Sequence, residues 1–192
     1  MNTRSLAALL LLIVALPLQS QDSNGAGEPE QSSFGGEEVP GIPFIKHPAS
    51  IPHAVLEVLK QDETVKGCLR DNEATPDKPF NSWFVASTVH LGGQHERDLV
   101  VLPNPGWQPG YSCFSSASGI QWFWIFRRTA KQYELVLTTP GNGILILQGM
   151  HADHRDIQSD TIGSAGRFVT TITYRFDGTR YQKYHEETKE NQ

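Results

Sequence analysis

Residues 120–128 read Ile-Gln-Trp-Phe-Trp-Ile-Phe-Arg-Arg, and no other segment limits the fold as strongly. In an extended chain, successive side chains point to opposite sides. Ile120, Trp122, Trp124 and Phe126 then share one face, while Gln121, Phe123, Ile125 and Arg127 share the other. A sheet with one wet face alternates apolar with polar, whereas a run that is apolar on both faces needs cover from both sides. The segment is therefore read as a central strand, and the rest of the chain must supply two coverings for it.

The surrounding sequence supplies both strands and helices. Trp83, Val85, Ser87, Val89 and Leu91 alternate with Phe84, Ala86, Thr88 and His90, Gly92-Gly93 opens a turn, and residues 98–102 return as a second strand. Residues 111–115 read as a short strand carrying Cys113. Residues 133–139 partner the central strand, 140–143 form a turn, and 144–147 extend again. Residues 154–159 are weakly extended, and 167–176 and 180–184 form a hairpin around a two-residue Asp177-Gly178 turn. Ahead of the strands, residues 50–61 read as a helix with Ser50 as its cap and Pro52 in its first turn. Its apolar stripe is Val55, Leu56, Val58 and Leu59. Residues 62–70 form a second helix capped by Asp62, with Val65 and Leu69 on one face. The fold class is α+β: one or two N-terminal helices followed by a mainly antiparallel β-sheet or a partly closed barrel.

The N-terminus sets the compartment. Arg4 precedes an apolar run over residues 6–15, followed by Pro17 and the small Ser20, which is the layout of a secretory signal peptide. The run is shorter than the roughly 20 apolar residues that span a bilayer. No comparable stretch follows, so the expectation is a secreted or periplasmic protein with no stable membrane insertion after signal removal. The chain divides into a signal peptide (1–20), a disordered acidic leader (21–42), a single α+β domain (43–184) and a polar tail (185–192). The leader carries Asp22, Glu28, Glu30, Glu37 and Glu38 and no Lys or Arg, and the body is nearly balanced, within a net charge of −5. Arg127-Arg128 is the only adjacent basic pair, so nucleic acid is not an expected partner. Two cysteines in an exported chain imply a Cys68–Cys113 disulfide. Neither belongs to a C-x-x-C redox motif.

The segment from Trp122 to Thr129 is followed by Tyr133-Glu134-Leu135-Val136-Leu137, Arg155-Asp156-Ile157, and Tyr174-Arg175-Phe176-Asp177-Gly178 with Tyr181. This order resembles a pattern shared by an uncharacterised family of small exported β-rich bacterial proteins, across residues 50–184. The resemblance implies a periplasmic or secreted setting and brings no catalytic residue with it. Residues 89–101 are similar to the strand–loop–strand of FG-GAP-like modules, whose loop carboxylates hold calcium. Here His90, Gly92 and Gln94 stand where oxygen donors are needed, and only Glu96 and Asp98 remain. The likeness therefore implies a hairpin-like loop without an ion.

Few residues carry chemistry. His151, Asp153, His154 and Asp156 form an H-x-D-H-x-D cluster of the ligand types used by zinc or iron. The same residues also read as a solvated polar turn between strands. Arg155 is expected either to form a bidentate pair with Asp98 or Asp177 or to contact a ligand. Trp107, set between Pro105 and Pro109, and Tyr111 are candidate contact residues on a loop. No G-x-S-x-G elbow is present, and a bridged Cys113 is no nucleophile. The sequence thus implies an exported non-catalytic domain that binds a protein or other ligand in the cell envelope, without a cofactor. The alternative is a metal-dependent hydrolase using His151, Asp153, His154 and Asp156.

Overall fold

Segment Gln121–Arg128 is strand β4 in the protein, and its two apolar faces enter two different cores. The structure is a computed structural model that describes residues 33–35, 45, 48–72, 79–92, 97–106, 113–116, 118–163 and 166–190. The signal peptide, most of the leader, and Trp107 and Tyr111 lie outside these residues. In chain order the elements are β1 (Ser33–Gly35), α1 (His53–Leu59), α2 (Glu63–Asp71), a 3-10 turn (Phe80–Trp83), β2 (Phe84–Val89), β3 (Asp98–Pro103), β4, β5 (Tyr133–Gly141), β6 (Gly143–His151), β7 (His154–Gly163), β8 (Phe168–Phe176) and β9 (Tyr181–Glu190).

The strands form two antiparallel sheets, a four-stranded one in the order β2-β3-β4-β5 and a five-stranded one in the order β1-β6-β7-β8-β9. The class is α+β, and the two sheets remain open rather than closing into a barrel. Trp124 and Phe126 of β4, with Leu99 and Val101 of β3, meet Val55, Leu59 and Val65 of the helices. Phe123 and Ile125, with Val100 and Leu102, meet Ile144, Ile146 and Ile157 of the five-stranded sheet. The four-stranded sheet is thus the middle layer, between helices on one side and the second sheet on the other. Edge-to-face contacts of Phe84 and Phe114 with Trp124, at 5.5 and 5.4 Å, consolidate the helix side.

The chain passes from one sheet to the other at residues 141–143, where a turn was expected. Close packing explains why: a side chain on Gly141 would meet Ser159 Oγ and the Gly143 carbonyl. Asn142 holds the crossing point, its N–H donating to Asp160 O at 2.7 Å and its Oδ1 accepting from Ile162 N at 2.6 Å.

Several local expectations shift. Asp62 caps α2, accepting from Thr64 N and Val65 N, as the sequence suggests. Ser50 does not cap α1, because the helix starts later, with Pro52 at the cap position and no side-chain bond. Cys113 and Phe114 lie in a helical turn, not a strand, and this turn directs Phe114 into the helix-side core. Ser33–Gly35, read as part of a disordered leader, pairs with β6, and Phe34 is only 1% exposed. The polar tail continues β9 to Glu190, since pairing with β8 needs only backbone groups and charged side chains suit an exposed edge. The Asp177-Gly178 turn is a four-residue loop between paired Phe176 and Tyr181. Its geometry is set by Asp177 Oδ1, which accepts from Thr179 N and Arg180 N, and by Gly178 at φ +103°.

Cys68 and Cys113 are joined, tying α2 to the segment ahead of β4 across a sequence separation of 45. Loop-closure entropy gives this crosslink about 4 kcal/mol. The double replacement C68A/C113A is expected to lose that much unfolding free energy in urea, and a midpoint equal to that of the native chain would contradict it. Backbone N–H donors of Arg180 and Thr179, then the Gln182 amide, hold the Asp177 carboxyl down at about 2 from an ordinary 3.8. A depressed folded pKa means that this turn is supported above pH 3.8 and loses support as pH falls towards 2. The Thr179 and Arg180 amide resonances are expected to titrate with a midpoint near 2, not near 3.8.

Candidate functional site

Strands β6 and β7 meet at Ala152-Asp153, both in the left-handed region at φ +47° and +60°. Two consecutive positive φ values give a type I′ hairpin turn, whose twist suits the flanking strands. His151 and His154 stand opposite each other across it. Just before the turn the register slips: Ile146 pairs with Ile157 but Met150 pairs with Arg155. Residues 147–149 therefore occupy the length that β7 covers with Asp156 alone. This bulge encloses Asp156, which is 5% exposed and lies beside Gly149, where no side chain intervenes.

A buried carboxylate needs partners. Asp156 Oδ1 lies 2.7 Å from His151 Nδ1, and its Oδ2 accepts from Arg175 Nε at 3.4 Å. The Arg175 guanidinium in turn sits 3.3 Å from the centre of the Tyr184 ring. His151, Asp156, Arg175 and Tyr184 belong to β6, β7, β8 and β9, so four neighbouring strands contribute one side chain each to a continuous row. Asp156 is enclosed, His151 and Arg175 are partly exposed, and Tyr184 is 60% exposed. With Nδ1 engaged, the His151 ring keeps Nε2 as its remaining polar atom. The row presents a fixed imidazole, a guanidinium and an aromatic face on one surface.

The other half of the turn is occupied structurally. His154 Nδ1 lies 3.0 Å from Ala152 O, and its ring stacks on Phe176 with centroids 4.0 Å apart. Arg127 of β4 lies over the same Phe176 ring at 5.1 Å. Arg155 N donates to Leu91 O at 2.6 Å, Tyr181 Oη donates to Arg155 O at 2.8 Å, and Gly92 bridges to His154. A side chain on Gly92 would collide with Asp153 O, so glycine permits this approach. Asp98 secures the same corner by accepting from Leu91 N at 3.0 Å and Arg128 N at 2.7 Å. Burial, reinforced by the Asp98 and Asp156 charges, pushes the Tyr181 phenol well above its ordinary value and keeps it a neutral donor.

The structure brings His151 and Asp156 together but turns His154 onto Phe176 and leaves Asp153 exposed on the turn. Among the described residues no group of three His, Cys, Asp or Glu side chains is placed to hold a metal ion. Of the four residues of the expected metal cluster, only His151 and Asp156 meet, because the tight turn sends the two histidines to different neighbours. Asp177, one expected partner of Arg155, is engaged by Thr179 N, Arg180 N and Gln182 Nε2. Arg175 and Tyr184 were not singled out from sequence. Their joining to His151 depends on register through three strand pairings, β6–β7, β7–β8 and β8–β9, and a bulge at Tyr184, which local pattern does not encode.

No family model, curated protein or solved structure matches this chain.

Asp156→Asn removes the charge shared by His151 and Arg175 while preserving size. It is expected to cost about 1–3 kcal/mol of unfolding free energy. His151→Gln, at a partly exposed partner, is expected to cost about 1 kcal/mol or less. Parallel urea titrations check the order, and a larger loss for His151→Gln would contradict it.

Proposed function

We propose that this chain is a secreted or periplasmic, non-catalytic binding domain that engages a protein or other ligand of the cell envelope. The observation that carries the reading is the His151–Asp156–Arg175–Tyr184 row. A buried carboxylate orients two partly exposed polar groups, and an aromatic ring completes the patch. Side chains fixed before contact lose little conformational entropy on binding, and exposed Arg and Tyr are common anchors of interfaces. Trp107, Tyr111 and Arg155 remain candidate contact residues from the sequence. The disulfide is consistent with an oxidising compartment. Among the described residues no helix is long and apolar enough to cross a membrane.

The test compares retention of an envelope extract by the native chain, by R175A/Y184A, by W107A, and by Glu57→Ala on the far helical layer as a control. Binding is expected to fall roughly tenfold or more in R175A/Y184A, with far-UV signal and melting temperature preserved and the control unaffected. Equal loss in the helix control, or native-like binding by both R175A/Y184A and W107A, would sink the reading.

A further inference from the structure

We propose that the His151–Asp156–Arg175–Tyr184 row is an oxyanion site, which takes a carboxylate or phosphate group of its ligand on the terminal nitrogens of Arg175. The proposal rests on the binding role read from that row and names the chemistry the row recognises.

The donors of Arg175 lead there. A guanidinium carries N–H donors and no acceptor. Its Nε–H is given to Asp156 Oδ2 at 3.4 Å. The N–H groups on Nη1 and Nη2 have no acceptor among the described residues. Together they form the end-on fork that matches two oxygens of one carboxylate or phosphate. Two contacts aim this fork. Asp156 holds the Nε end, and the centre of the Tyr184 ring lies 3.3 Å from the guanidinium, which is stacking distance. The Nη1–Nη2 end therefore points away from the carboxylate that holds the group. A side chain fixed in this way loses little freedom when a ligand arrives.

The position of the acid decides which charge the site prefers. Both oxygens of Asp156 are engaged and the residue is enclosed, so an approaching group meets N–H donors rather than a carboxylate. Its side chain is 7% exposed, against 32% for Arg175. Arg167 shows the opposite arrangement. It also packs on an aromatic ring, Phe168 at 5.3 Å, and its Nε also donates to an acid, Glu190 at 2.9 Å. Glu190, however, is 58% exposed, so an anion arriving there meets an open negative charge. Arg128 lies over Tyr133 at 4.7 Å, and no acid among the described residues holds its guanidinium, so its fork is not aimed. Of these three, Arg175 alone joins a fixed fork to a hidden counter-charge. His151 touches the same carboxylate and keeps Nε2 for the ligand. That nitrogen donates when the ring is protonated, and in the neutral ring it accepts from an oxyacid that still carries a proton.

The test titrates the folded native chain with inorganic phosphate and, separately, with acetate, at one pH and with ionic strength held constant by chloride. The Nε–H resonances of Arg175 and Arg128 and the ring resonances of His151 are followed. The expected result is a saturable shift at Arg175 and His151 in the millimolar range, absent at Arg128, with at least one probe. The probe that saturates at lower concentration tells a phosphate ligand from a carboxylate one. R175K keeps the charge without the fork and is expected to weaken binding at least severalfold, with R128K and R167K native-like. No saturable shift at Arg175 with either probe overturns the proposal, and this arm does not depend on the folding of any variant. Native-like affinity in a folded R175K also overturns it, as does equal weakening by R128K, which reports a general attraction of anions to surface charge. Retention of the envelope extract separates this proposal from the reading it rests on. Retention lost in R175A/Y184A, with no response to either probe, strikes the oxyanion site and keeps the binding domain. Saturation by a probe, with native-like retention in both R175A/Y184A and W107A, strikes the envelope partner while the oxyanion site stands.

Discussion

Two cores depend on one strand. β4 sends Trp124 and Phe126 towards the helices and Phe123 and Ile125 towards the second sheet, so neither core exists unless β4 is covered on both sides. This sets the order of layers. Helices close one face of the four-stranded sheet, and the five-stranded sheet closes the other. The disulfide acts on the same strand indirectly, since it ties α2 to the turn that carries Phe114, and Phe114 packs edge-on against Trp124. Crosslink, helices and central strand therefore stabilise one another, whereas the outer sheet is held by the inter-sheet core and the crossing at Asn142.

That difference in support accompanies a difference in exposure. β8 and β9 continue as a long hairpin in which every β9 residue after Tyr181 is exposed. Its edge carries Lys183 and Lys189, and the register shift between Thr173 and Tyr174 interrupts it, features that discourage indiscriminate pairing of strand edges. At the other border of the same sheet, β1 pairs with residues 143–145 of β6.

Legibility from sequence followed the range of the interactions. Alternation over residues 120–128 identified β4 and its two covered faces, because a period-two pattern is written in neighbouring residues. Asp62 was readable as a helix cap for the same reason: its two acceptor contacts lie within three residues. Ser50 was misread because the chain enters α1 through Pro52 without any side-chain cap. β1 was read as disordered since Ser33-Phe34-Gly35 has no apolar pattern of its own, and it is ordered by a partner more than a hundred positions away. Of the site, the His151–Asp156 turn was visible as a cluster of titratable residues. Its meaning was not, because the I′ turn and the bulge at 147–149 decide which of those residues meet.

The contrast among the acidic residues is the last step. Asp98, Asp156 and Asp177 all lie near the same end of the outer sheet, yet each charge is satisfied differently. Asp98 is taken up by backbone N–H groups of Leu91 and Arg128, so it fixes a corner of the fold. Asp177 is taken up by its own loop and by the Gln182 amide of β9, so it fixes a turn. Asp156 contacts two side chains, His151 and Arg175, which are themselves partly exposed. A carboxylate satisfied by backbone donors makes local geometry. One shared between two partly exposed side chains makes a surface, because it fixes the direction in which an imidazole and a guanidinium meet whatever approaches. The inference of a binding role rests on that exposure, since His151 and Arg175 are both partly open while they share one buried carboxylate.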